Sequence, residues 1–113
     1  SNRYPYKKVM KEIEAMLYLE DYGVTEKEID ELKELYNDSI INFLTEEEIF
    51  IKDKIDYLIE NGYMVYPILK NNIKIFLETL PALEKKINQM KEKGYSRKAI
   101  QMILIDQKLY DDI

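Results

Sequence analysis

The sequence predicts an all-α fold: a short right-handed superhelical array of stacked helix pairs, α-solenoid-like, with about six helices. Composition is the first observation behind this. The 113 residues include only three Gly and three Pro, and Lys, Glu, Ile and Leu, which favour helix, dominate. The second is periodicity, with apolar residues recurring every three to four positions along most of the chain. The third is a turn that recurs as Tyr22-Gly23-Val24-Thr25, Asn61-Gly62-Tyr63-Met64 and Lys93-Gly94-Tyr95-Ser96, with spacings of 39 and 32 residues. Each glycine is followed six residues later by an isoleucine: Ile29, Ile68 and Ile100. Laying Gly62 on Gly94 also superposes Ile51 on Leu83, Ile55 on Ile87, Leu58 on Met90, Lys54 on Lys86, Glu60 on Glu92 and Tyr63 on Tyr95. A phase error of one helical turn destroys that correspondence. We read a degenerate helical repeat within a single domain, 1–113, with units at about 24–62 and 63–94 and a partial third at 95–113.

The first helix is expected from about Pro5 to Tyr22, with Tyr6, Val9, Ile13, Met16 and Leu17 on its apolar stripe. Pro5 suits a first turn, where a missing N–H costs nothing. Gly23 ends this helix in the left-handed conformation that glycine enters without steric cost. Thr25-Glu26-Lys27-Glu28 has the spacing of a capping box. It opens a second helix over roughly 26–36 that turns Ile29, Leu32 and Leu35 inward. Asn37-Asp38-Ser39 then breaks the pattern, and Ile40, Ile41, Phe43 and Leu44 form an apolar connector too brief for an independent helix. Thr45-Glu46-Glu47-Glu48 reads as another capping box, opening a helix from about 46 to 61 with Ile51, Ile55 and Leu58 buried and Ile49 and Ile59 flanking.

The unit then recurs. Pro67 to Asn71 gives a short helix, and Ile73, Ile75, Phe76 and Leu77 form the connector. Pro81 marks a helix first turn with Leu80, Leu83, Ile87 and Met90 as its stripe. Gly94 closes that helix, and Ser96 caps a last one that buries Ile100, Ile103 and Leu104. The sequence stops before a second helix of the third unit.

This turn, short helix, apolar connector and Leu-Pro-x-Leu helix start resemble the repeats of the mitochondrial transcription termination factor family and its bacterial relatives. Leu80-Pro81-Ala82-Leu83 through Lys93-Gly94-Tyr95-Ser96 carries the likeness best, and Val24 to Gly62 is a weaker copy. Two departures stand out: Ile40 and Ile73 occupy places where that family often has proline, and the chain is acidic where DNA-gripping members are basic. The resemblance implies an α-helical superhelix, and nucleic-acid binding as a function to test.

Charge is uneven. The net formal charge is −5, yet residues 1–62 hold 8 basic and 16 acidic side chains, whereas residues 63–113 hold 9 and 6. The basic excess lies in 67–98, including Lys85, Lys86, Lys93, Arg97 and Lys98. On phosphates these five form the candidate nucleic-acid face, with Tyr95 or Tyr66 available to stack on a base. Their alternative role is a solubilising face. Ten tyrosines supply amphipathic rings of the kind enriched at interfaces, and Tyr57, Tyr63, Tyr66 and Tyr95 cluster by two repeat turns as candidate partner-binding residues.

Catalytic groups are scarce. Without histidine or cysteine there is no imidazole-activated nucleophile, thiol chemistry or usual zinc site. No phosphate-cradling glycine loop or dinucleotide fingerprint occurs. Asp53, Asp56 and Glu60 share a helix face, but Lys52 and Lys54 between them mark a solvated face with local ion pairs. Asp111-Asp112 and Glu46-Glu47-Glu48 carry no more. The latter fits a helix N-terminus, where the dipole favours acids. No cofactor or metal is expected. The absence of cysteine fits a reducing compartment, and a cytoplasmic location is the expectation.

The function expected is therefore non-enzymatic: a helical-repeat interaction module binding another protein. The alternative is nucleic-acid binding through the 67–98 basic face. A third reading is self-association through apolar positions at the open end, Ile103, Ile105 and Leu109.

Overall fold

Glycine punctuates the chain with one geometry used three times. In the computed structural model, which describes residues 16–113, Gly23, Gly62 and Gly94 have φ of 86°, 84° and 85°. At each, the glycine amide bonds the carbonyl three residues back (Glu20, Ile59, Lys91). The next amide, of Val24, Tyr63 or Tyr95, bonds the carbonyl five back (Leu19, Leu58, Met90). This is the Schellman closure of a helix, which needs a left-handed residue that an L side chain strains to provide. The residues at matching distances from each glycine are buried in all three cases: Met16, Ile55 and Ile87 before the turn, and Ile29, Ile68 and Ile100 after it.

The described residues are helical, with no strand among them. A 3-10 helix, Leu17–Tyr22, is followed by α1 (Glu26–Leu35), α2 (Asp38–Glu46), α3 (Glu48–Glu60), α4 (Val65–Asn71), α5 (Lys74–Leu77), α6 (Leu80–Glu92), α7 (Arg97–Leu104) and α8 (Gln107–Asp111). None is long and apolar enough to cross a membrane. Contacts divide the chain into two compact units, the first through Glu48 and the second Ile49–Ile113. The division thus falls at the start of α3, inside the span expected as one unit at 24–62, and not at a glycine turn.

In the first unit the 3-10 helix packs on α1. Thr25 forms the expected capping box: its hydroxyl accepts from the Glu28 amide at 3.1 Å, and the Glu28 carboxylate accepts from the Thr25 amide at 2.9 Å. Ile29 and Leu32 point inward as predicted, but Leu35 is 53 % exposed. Tyr18 reaches from the 3-10 helix to donate its hydroxyl to the Leu44 carbonyl at 2.7 Å. Burial, reinforced by the Glu48 carboxylate, pushes the Tyr18 phenol well above its ordinary range.

Several expectations require correction. The helix expected from Pro5 lies mostly outside the described residues, including Tyr6, Val9 and Ile13. Its end is a 3-10 helix preceded by Met16 at φ 64°. The apolar connector at 40–44 is helical, because Asn37 caps it by accepting from the Ile40 amide at 3.0 Å. Thr45 caps nothing. It lies inside α2 and donates its hydroxyl to the Ile41 carbonyl at 2.7 Å, so α3 starts at Glu48. The span 95–113, expected to stop before a second helix, contains one, α8, capped by Asp106 accepting from the Leu109 amide at 3.1 Å. With the short connectors helical, eight α-helices and one 3-10 helix replace the expected six among the described residues.

Among the described residues the second unit has the larger core. Ile51, Ile55 and Leu58 of α3, Leu83, Ile87 and Met90 of α6, and Ile100 and Leu104 of α7 are buried, whereas Leu80 and Ile103, expected in the same stripes, are only half-buried. Pro81 stands in the first turn of α6, with Thr79 as its cap, accepting from the Ala82 amide at 3.4 Å. Lys54, expected on a solvated face beside Asp53 and Asp56, is instead fully buried between the apolar residues Ile51, Ile55 and Leu58 of α3. Its ammonium donates to the Glu78 carbonyl, which closes α5, and sits 3.3 Å from the centre of the Phe50 ring. Lys86, the residue that aligns with Lys54, donates to the Tyr110 carbonyl in α8 at 3.1 Å and lies 4.1 Å from that ring's centre. Both carbonyls stand 24 residues beyond their lysine. Equivalent lysines of two long helices therefore hold equivalent short helices.

Candidate functional site

The residues expected to form the basic face stand on α6, at its end and on the first turn of α7. Lys86 is tied to Tyr110 as described. Lys85 shares its side of α6 with Glu84 and Glu92, around a shallow depression that also includes Asn88 and Gln89. Lys93 is exposed at the end of α6. Arg97 and Lys98 stand on the first turn of α7, where both are exposed.

The four tyrosines differ in burial. Tyr63 is 4 % exposed and belongs to the core. Burial raises its phenol pKa, and the Arg97 guanidinium partly opposes that rise. Tyr57 and Tyr66 are half-buried. The Tyr57 phenol is also raised, by burial first and then by Glu84 and Tyr63. Tyr95 is 40 % exposed and alone among the four presents much of its ring to solvent.

Arg97 and Lys98 line an open hollow of about 430 Å³ together with Gly62, Met64, Ser96 and Gln101. Its construction follows from the glycine turn. Gly62 turns the chain out of α3, and the Arg97 side chain lies directly over it. A Cβ at position 62 would stand 2.7 Å from Nη1 and 3.2 Å from Cδ of Arg97. Met64 then occupies the N-cap position of α4, where Thr25 and Ser96 stand in the other two turns, and it has no side-chain cap to offer. Gln101 supplies polar partners from α7: its Oε1 accepts from the Met64 amide at 2.7 Å, and its Nε2 donates to the Met64 carbonyl at 3.2 Å. A side-chain amide thus pairs with one residue's backbone as a neighbouring strand would. The Met64 backbone is fixed from both sides while its side chain remains 62 % exposed.

On the other side of the turn, Asn61 donates to the Tyr57 carbonyl at 2.8 Å and accepts from Lys91 at 3.3 Å. Ser96 caps α7 by accepting from the Ala99 amide at 3.1 Å. The hollow therefore combines two cations, an exposed thioether chain and a neutral amide, with no carboxylate in its lining.

The remaining candidates are accounted for locally. Asp111 pairs with Lys74 at 3.0 Å. Asp53, Asp56 and Glu60 are exposed on α3. No group of three carboxylates among the described residues is arranged to hold a metal ion. Sequence reasoning missed Met64 and Gln101. The signal for Met64 was present, since it breaks the Thr/Ser pattern two residues past the glycine; Gln101 had none, because its partner lies 37 residues away.

Comparison with family models, with curated proteins and with solved structures returns no match to this chain.

Proposed function

We propose that the chain is a non-enzymatic helical-repeat module that binds another protein, with its helices stacked as a short right-handed superhelix. The observation that carries this reading is the equivalence of Lys54 and Lys86, each holding a short helix through a carbonyl 24 residues on. Three identical glycine closures add to it. A unit repeated with its internal bonds intact builds a surface by stacking, and such surfaces serve recognition. The polar groups of greatest chemical interest, Lys54 and Tyr110, are fully buried and work on the fold.

Nucleic-acid binding is the second reading, favoured by the adjacent exposed Arg97, Lys98 and Tyr95. The two separate by salt dependence, because each phosphate neutralised releases counterion. Fluorescence anisotropy against short single- and double-stranded DNA and RNA, at about 50 and 200 mM salt, should show no specific binding if the module binds protein. Micromolar affinity that falls steeply with salt and disappears on charge reversal of Lys85, Lys93, Arg97 and Lys98 would replace this reading with the nucleic-acid one.

A further inference from the structure

We propose that the hollow beside the Gly62 turn docks an acidic peptide segment of a partner protein, one that offers a single apolar side chain between carboxylates. The inference rests on the protein-binding reading and names its site. Charge complementarity selects the peptide. The only charges in the lining are Arg97 and Lys98, so an incoming carboxylate meets no competing acid. The Arg97 chain lies across Gly62, in space that a side chain at position 62 would fill, and borders the hollow. A planar guanidinium receives a carboxylate through two parallel hydrogen bonds, and Lys98 adds a point charge beside it.

Met64 defines the apolar half of the partner. Its backbone is clamped by Gln101 at both amide and carbonyl, and its side chain is one of the most exposed large hydrophobic groups of the second unit. An unbranched thioether adapts to different apolar shapes, which suits contact with one leucine, methionine or phenylalanine. At about 430 Å³ the hollow takes one or two side chains and not a folded surface. No aromatic ring lines it. That absence separates it from single-strand nucleic-acid sites, where bases stack on such rings.

The test is selection from a random linear peptide display library on the full chain, followed by anisotropy of a labelled synthetic copy of the enriched peptide. Enrichment of Asp and Glu around a single Leu, Met or Phe is expected. Arg97→Glu with Lys98→Glu should weaken binding about tenfold or more and abolish its salt sensitivity. Both substitutions place acids at a helix N-terminus, where the dipole tolerates them. Met64→Ser should weaken binding about fivefold while leaving the unfolding midpoint unchanged or higher, since serine is a good N-cap and the Gln101 bonds are to backbone. Acidic peptides that bind these variants as tightly as the parent would overturn the hollow and leave the protein-binding module standing. Enrichment of basic or wholly apolar peptides would also overturn it. No enrichment, together with salt-sensitive oligonucleotide binding, would remove both.

Discussion

Replacing Tyr110 by alanine is expected to destabilise the second unit by about 3–5 kcal/mol, the range for truncating a large buried ring. Tyr110 is fully buried, although it stands only three residues before Ile113. Its hydroxyl donates to Oε2 of Glu78 at 2.9 Å, its ring receives the Lys86 ammonium, and its carbonyl accepts from the same lysine. Truncation leaves a cavity and removes the cation's ring, and α8 loses its only fully buried side chain. Tyr110→Phe separates the contributions. It keeps the ring and loses one hydrogen bond to a carboxylate, so about 1.5–3 kcal/mol is expected. Urea unfolding of the two variants checks both values. A loss for the alanine variant no larger than that for phenylalanine would show that α8 is not part of the core.

Stability should rise, not fall, as pH increases from about 8 towards 10, and Lys54 is the cause. Burial lowers its pKa from 10.5 to about 8, against the opposing pull of Asp53 and Glu78. Between those values the unfolded chain carries a proton that the folded chain has released. The unfolded state binds more protons there, so unfolding becomes harder as pH rises through the window. Below pH 8 the folded state keeps the buried cation and bears its full desolvation cost. The gain is on the order of 2–3 kcal/mol, from a pKa difference worth 1.36 kcal/mol per unit. Tyrosine sets the upper limit. Tyr110 is raised by burial and by its bond to Glu78, and Tyr18 by burial, so each stabilises the folded state only in its neutral form. Their contribution is present below about pH 10 and is lost as pH climbs beyond it. Denaturant midpoints measured from pH 7 to 11 should therefore pass through a maximum near pH 10. In Lys54→Met the rise before the maximum should vanish, and a rise that persists there would assign it to another group.

Much of this fold was legible because its signals are local. Gly23, Gly62 and Gly94 each close a helix within five residues, and Thr25 and Ser96 cap within three. The buried stripes follow helical periodicity, so Ile51, Ile55, Leu58, Leu83, Ile87 and Met90 emerge from spacing alone. Thr45 misled because a capping box and a helix interior can share the same letters. Asn37 starts the helix earlier, and the Thr45 hydroxyl turns back to Ile41. Lys86 misled for a tertiary reason. On sequence it is one of several lysines on a polar flank, and only the fold brings the Tyr110 carbonyl to it. The alignment of Lys54 with Lys86 held the clue, since a lysine retained in phase with apolar stripe residues has a partner to reach. Tyr63 was placed by the same alignment opposite Tyr95, yet Tyr63 is buried and Tyr95 is 40 % exposed, a difference that local spacing does not encode.

The most direct measurement is amide hydrogen exchange at Met64, followed by NMR, in the parent chain and in Gln101→Leu. If α7 fixes the Gly62 turn through the Gln101 side chain, the Met64 amide is protected in the parent and exchanges at least about tenfold faster in the variant, matching the loss of a bond worth roughly 1.5 kcal/mol. The Tyr63 amide, bonded within the turn to Leu58, should keep its protection in both. A Met64 amide that exchanges in the parent at the rate of an open chain would contradict the built hollow and leave Arg97 and Lys98 as ordinary surface charges.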